Sequence, residues 1–317
     1  MRQKDKHAKK RDSHPWRTYS FIVTLTVLAI FIVSSYYLSL PKVEHIPFNF
    51  QFEAESWMTF VPQTSQYVAF VNYQEAYFTT GNTLMFGSSA MFQFYQLPIN
   101  ILPQNLIYDL DIQLPRPDTS SGSVSVSVIT IQNDTYRVLV DEVAKVNLAR
   151  TEYDGYPMYS LLLVDTTSSQ PKLITAYTAI IRDGLVISID QNYGKYGVET
   201  ILDQYTSGAP TLFDNSDVRR GIYTSGATAG PYIGLFVGTF SSQFNNTRMI
   251  VKSVIPNGNG ISVTRSVLFP SSDVAMSEFG HAHNVYRNAD SYRVLDQWLV
   301  ISYNYPIDEL RGEITGI

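Results

Sequence analysis

His281 and His283 stand one residue apart in the segment Glu278-Phe-Gly-His-Ala-His283, with Asp273 a few residues ahead. On an extended segment, side chains two apart point the same way. Two imidazoles and the Glu278 or Asp273 carboxylate would then form a partial His/carboxylate set for a divalent metal such as Zn. Such a site takes three or four ligands, and this motif guarantees two. His45 is the one other histidine beyond the first 17 residues. The plainer reading of 278–284 is a polar loop.

A second constellation lies in residues 190–199, where Tyr193-Gly-Lys195-Tyr196-Gly197 leads into an amphipathic helix. Glycines and a lysine before a helix can cradle an anion on free backbone N–H groups, which makes Lys195 and Tyr196 candidate ligand-binding residues. The P-loop spacing is absent, and a loop that caps the helix explains the same residues. Ser169-Gln-Pro-Lys172 matches S-x-x-K, but Pro171 favours a turn over the helix that pattern needs. Asp109 with Asp111, and Asp141 with Glu142, are paired carboxylates suited to acid–base work in a cleft; a solvated surface is the plainer expectation. Asn133 and Asn245 begin N-glycosylation sequons.

These residues must be positioned by elements that the pattern of hydropathy marks out. Residues 1–17 carry seven Lys+Arg against Asp5 and Asp12. Residues 18–40 then hold no formal charge. About 20 apolar residues at ~1.5 Å each cross a hydrocarbon core. Trp16 and Tyr19 at one end, and Tyr36 and Tyr37 at the other, suit the two interfaces, and the basic tail stays cytoplasmic. The run is longer than a signal-peptide core, and bulky Tyr36, Tyr37 and Leu38 occupy the place of a cleavage site. The sequence therefore predicts a basic tail (1–17), a signal-anchor helix (18–40), a stalk (41–55) and an extracytoplasmic domain in two halves, 56–208 and 209–317.

Of 23 Lys+Arg and 28 Asp+Glu, the tail takes seven and two, leaving 16 against 26 outside it. That acidity excludes nucleic acid as a partner. Cysteine is absent, which suits a domain large enough to do without disulfides and fits an archaeal or bacterial surface. The 22 tyrosines fit pleated sheets and also sticky outer surfaces.

Strand patterns recur at 67–72, 123–131, 158–164, 173–181, 185–189, 231–238, 248–255, 261–268 and 299–303, with turns at Asp183-Gly184 and Asn257-Gly-Asn-Gly260. Helical patterns fall at 74–80, 135–149, 198–205, 214–223, 291–297 and 307–314. Hairpins with helices between groups indicate the α+β class, antiparallel sheets with covering helices. Leu185-Val-Ile-Ser188 recurs as Leu299-Val-Ile-Ser302, and Tyr67-Val-Ala-Phe-Val71 loosely as Tyr232-Ile-Gly-Leu-Phe-Val237. Both suggest two degenerate copies of one α+β unit.

No reaction motif is present, so the expected function is non-catalytic and without a cofactor. The chain is read as a membrane-anchored binding or assembly module that meets lipid through its anchor and another envelope protein or a surface glycan through its domain. The alternative is a metal-assisted hydrolase using His281 and His283.

Overall fold

The computed structural model describes residues 15–39, 42–47, 49–80, 105–118, 122–145, 147–165, 172–182, 184–190, 192–228, 231–238 and 244–315. Ser169 to Pro171 of the S-x-x-K segment and Asp183 of the expected turn lie outside them. The chain comprises two compact units, residues 1–42 and 43–317.

The first unit holds helix α1 (Pro15–Ser39). Its described side chains, residues 22–35 and Leu38, are all exposed, and its large apolar ones from Ile22 to Val33 are each more than half exposed. Thr26 returns its hydroxyl to the Ile22 carbonyl. Among the described residues no helix is long and apolar enough to cross a membrane.

The second unit is built on one sheet of 13 strands. In chain order these are β1 (Val43–Glu44), β2 (Tyr67–Asn72), β3 (Leu106–Pro115), β4 (Ser123–Ile131), β5 (Asn147–Tyr153), β6 (Tyr156–Asp165), β7 (Lys172–Ile181), β8 (Gly184–Ser188), β9 (Gly234–Gly238), β10 (Met249–Asn257), β11 (Gly260–Leu268), β12 (Ser291–Leu295) and β13 (Trp298–Pro306). Their spatial order is β1-β12-β13-β11-β10-β9-β2-β3-β4-β8-β7-β6-β5. Every pairing is antiparallel except β1 with β12.

The order repeats itself about the β2–β9 contact. On one side run β2-β3-β4-β8-β7, on the other β9-β10-β11-β13-β12. In each, three consecutive antiparallel strands lead into a helix, α3 (Asn133–Lys145) or α6 (Ser272–Val285). A later hairpin then slots its second strand beside the third. The first half adds the β5–β6 hairpin at its edge.

Helices cover both faces, because strands apolar on both sides must bury both. On one face, Tyr73 and Ala76 at α2 (Tyr73–Thr80), Leu139 and Val143 of α3, Ala275 and Ala282 of α6, and Leu310 and Ile314 of α7 (Leu310–Thr315) join the core. On the other lie Trp57 and Phe60 of a 3-10 turn (Ser56–Phe60), Val198, Ile201 and Leu202 of α4 (Gly194–Ser207), and Val218 and Ile222 of α5 (Ser216–Thr224).

Within the expected stalk, β1 pairs with β12, and Asp296 clasps the segment. Its carboxylate bonds His45 Nδ1 at 2.7 Å and the Ile46 amide at 3.1 Å, while its own amide donates to the Glu44 carbonyl. The two halves, 56–208 and 209–317, share one sheet through the β2–β9 pairing. One expectation is corrected: residues 291–297, expected to be helical, hold strand β12 and a turn, because Tyr292 and Val294 pair into the β13 ladder.

Candidate functional site

His281 and His283 do not converge. They lie on α6, whose first turn is capped by Ser271 accepting from the Val274 amide. Two residues apart on a helix is a rotation of about 200°. His283 stacks on Tyr292 with ring centroids 3.8 Å apart and donates from Nδ1 to the Phe279 carbonyl. His281 meets the edge of Phe244 instead. Glu278 shares that helix, and among the described residues no group of three His, Asp or Glu side chains is placed to hold a metal.

The glycines around Lys195 and Tyr196 serve packing. A Cβ on Gly197 would lie 2.7 Å from Val126 Cγ2 and 2.9 Å from Val124 Cγ1, so only glycine lets α4 sit this close to the sheet. Three backbone N–H groups leading into the helix are already taken. Asp190 accepts from the Asn192 and Tyr193 amides through Oδ1 and from Gly194 through its carbonyl. Lys195 pairs with Glu199 one turn on, at 3.6 Å. Asn245 is exposed in a turn, with Thr247 Oγ1 donating to the Phe244 carbonyl. The Asn133 side chain lies outside the described residues.

A different set of charged groups is drawn together by the sheet. The ladder registers align Ile187, Ser127, Asp111, Ala69, Phe236, Lys252, Arg265 and Ile301 in one row across seven strand pairs. Cross-strand partners share a face, and here it is the face that α3, α6 and α7 cover. Asp109 sits two residues from Asp111 on the same face of β3.

In the first half, Ser127 Oγ donates to Asp111 Oδ1. Asp109 accepts from the Leu110 amide, while its Oδ1 is shielded from solvent and has no hydrogen-bond partner among the described residues. Burial, with the Asp111 charge beside it, holds the Asp109 carboxyl well above the usual carboxylate range. Burial also raises Asp111, against the Ser127 hydrogen bond. The nearby Tyr73 phenol is pushed up by burial and by both carboxylates. The Asp111 charge and the half-buried setting thus both disfavour an ionised Asp109.

In the second half, Lys252 is only 5% exposed. Its Nζ lies 2.8 Å from Glu313 Oε2 of α7, donates to the Glu313 carbonyl, and sits 5.2 Å from the Phe236 ring centroid. Arg265 reaches the same carboxylate at 3.7 Å and covers the Tyr286 ring. Burial pushes the Lys252 amine down, and Glu313 opposes that shift. Lys252 interrupts the apolar run Met249-Ile-Val-Lys-Ser-Val-Ile255, a signal visible in the sequence but not taken up there.

The chain thus belongs structurally to the α+β proteins built on one predominantly antiparallel sheet. No family model and no curated protein matches it. Among solved structures, crystal form I of TP0453 aligns with 84% of this chain and 99% of its own, at 10% identity and a TM-score of 0.46. Crystal form IV of TP0453 aligns with 81% and 96%, at 7% identity and a TM-score of 0.45. Likeness at that level carries no functional argument.

Proposed function

We propose that the chain is a membrane-anchored, extracytoplasmic binding or assembly module, non-catalytic, with α1 as its anchor and residues 43–317 as its working part. One observation carries this reading: every described side chain of α1 is exposed, and large apolar ones stand on all its sides. A helix apolar all round needs an apolar surrounding. The charge-free sequence extends beyond those side chains, over residues 18–40, behind a basic tail. Topology then places the acidic domain outside.

The two halves are further proposed to be degenerate copies of one unit. Supporting this, the exchange of halves centred on the Ala69–Phe236 pair superposes Leu185-Val-Ile-Ser188 on Leu299-Val-Ile-Ser302, residue for residue through the ladder registers. Equating Tyr67 with Tyr232 would centre the exchange on Phe70–Leu235 and put those tetrapeptides two residues out of step. The two sequence matches cannot both mark one duplication, and the tetrapeptide is the stronger.

Membrane extraction and surface labelling test the anchor. The full chain is expected to resist alkaline carbonate, to dissolve in detergent, and to be cleaved in residues 43–317 by protease added to intact cells. Release by carbonate, or cleavage only after lysis, would overturn the reading. Co-purification from detergent with an envelope protein or glycan is the expected sign of assembly.

A further inference from the structure

Strand β5 ends the sheet and, among the described residues, is bonded to β6 alone. Residues 148–152 are all exposed, so its outer edge is open along that length. An unpaired strand edge is a template for another strand, and charged side chains commonly blunt it. Here the charges are one of each sign, Arg150 and Glu152, two residues apart on one face of the strand. Among the described residues neither belongs to an ion pair, and the Arg150 guanidinium covers the Tyr159 ring at 5.9 Å from its centroid.

The hairpin turn fixes which backbone groups face outward. Asp154 and Gly155 have φ 47 and 82, the positive pair of a type I′ two-residue loop. The pair that closes such a loop, Tyr153 with Tyr156, exchanges hydrogen bonds, and so does every second pair after it. Thr151 therefore bonds inward to Met158, while Glu152 and Arg150 turn their N–H and C=O groups to the open edge. Pro157 agrees with this phase: it stands opposite Glu152, where no N–H is needed for the ladder.

A second copy of β5, running antiparallel about a two-fold axis, can use those outward groups in three central registers. An axis at Arg150 sets that residue against its own copy, and an axis at Glu152 does the same for the carboxylates. An axis at Thr151 sets Arg150 opposite Glu152 twice and Thr151 opposite Thr151. Like charges directly opposite are destabilising, whereas opposite charges and Thr–Thr pairs are favourable. The axis at Thr151 is the register that satisfies every charge.

We infer that the outer edge of β5 pairs with the same edge of a second copy of this chain, in the register with Thr151 on the two-fold axis. The contact is isologous and closes both open edges at once. The inference rests on the assembly reading above and gives it a partner.

The sequence has no cysteine, so one introduced thiol reports the register. Thr151 and its copy form a non-hydrogen-bonded pair with Cα atoms about 4.5 Å apart, inside the disulfide range of about 4.4–6.8 Å. Ala149 and its copy are offset by four residues, about 13 Å along the strands, outside that range. The experiment is mild oxidation of the purified full chain in detergent, carrying Thr151→Cys or Ala149→Cys, followed by non-reducing electrophoresis. Thr151→Cys is expected to link into dimers several-fold faster than Ala149→Cys. Adding Arg150→Glu opposes like charges and should slow the linkage to the Ala149→Cys rate. Adding Glu152→Arg as well exchanges the two signs and should restore it. Linkage no faster at 151 than at 149 would overturn the inference, as would a sign exchange that keeps the wild-type unfolding midpoint yet fails to restore linkage. Neither result decides the wider reading, since another envelope partner is read by co-purification and the anchor by carbonate extraction.

Discussion

The two halves of the sheet share one strand order and carry opposite charge at the same row. Where the first half has Asp111 and Ser127, the second has Lys252 and Arg265. The second half solves its burial problem by adding a short helix that brings a counter-charge, Glu313, down onto Lys252. In the first half, two carboxylates stand together and are held above their ordinary range by burial. One frame thus accommodates a buried ion pair and a half-buried acid pair, and the difference lies in what the covering layer supplies. A carboxyl held above its ordinary range is suited to proton exchange or to sensing pH; an ion pair under a short helix is suited to holding that helix in place.

The largest effect is expected at the ion pair. Glu313→Leu leaves Lys252 buried and unpaired, which typically costs about 3–5 kcal/mol. Since α7 is short, its undocking limits the loss, and about 3 kcal/mol is expected in denaturant titration. Lys252→Met combined with Glu313→Leu should recover most of it, a strongly non-additive cycle. Additive losses would mean the pair is not coupled.

The opposite face sharpens the comparison. Gly221 of α5 abuts Val251 and the rigid Trp298 ring, with a Cβ placed 2.5 and 2.7 Å from them, whereas Gly197 of α4 abuts valine methyls at 2.7 and 2.9 Å. Overpacking of this kind costs about 1–3 kcal/mol. Gly221→Ala is expected to lower the unfolding midpoint more than Gly197→Ala, and the reverse order would contradict this packing.

A smaller effect is expected at the clasp on β1. Asp296 has φ 51, and it holds His45 and the Ile46 amide. Burial raises its carboxyl, but these hydrogen bonds outweigh that and leave it lowered. A lowered acid contributes stability above its unfolded value that is lost as pH falls through the folded one. Asp296→Ala should cost about 1 kcal/mol near neutral pH and less in acid. It should also raise hydrogen exchange at residues 43–46.

Much of the frame was legible because alternation and turn residues announce hairpins directly. The ladders of β4, β7, β8, β10, β11 and β13 fall where Val/Ile/Ser alternation and Asn-Gly turns put them. β5 was not legible, since Asn147-Leu-Ala-Arg-Thr-Glu-Tyr153 is an edge strand with mostly exposed residues and no apolar face. The candidate sites failed for a related reason. Spacing fixes which residues share a face only once the element is known, and His281 and His283 part because 272–285 is helical. Asp109 and Asp111 do lie on the polar face of an alternating strand. Their burial depends on the layer that covers this face, information held in residues far along the chain.

The most direct test of the contrast between the halves is the pH dependence of unfolding free energy, measured for the wild type and for Asp109→Asn/Asp111→Asn. Carboxyls raised in the folded state bind more protons there than when unfolded. Stability should therefore be greatest near or below the unfolded value and fall as pH rises toward the folded one. The slope approaches about 1.4 kcal/mol per pH unit for each proton retained. The double variant should lose that fall and be the more stable protein at neutral pH. Parallel curves for the two proteins would contradict the account, because the acid pair would then be no different from solvated carboxylates.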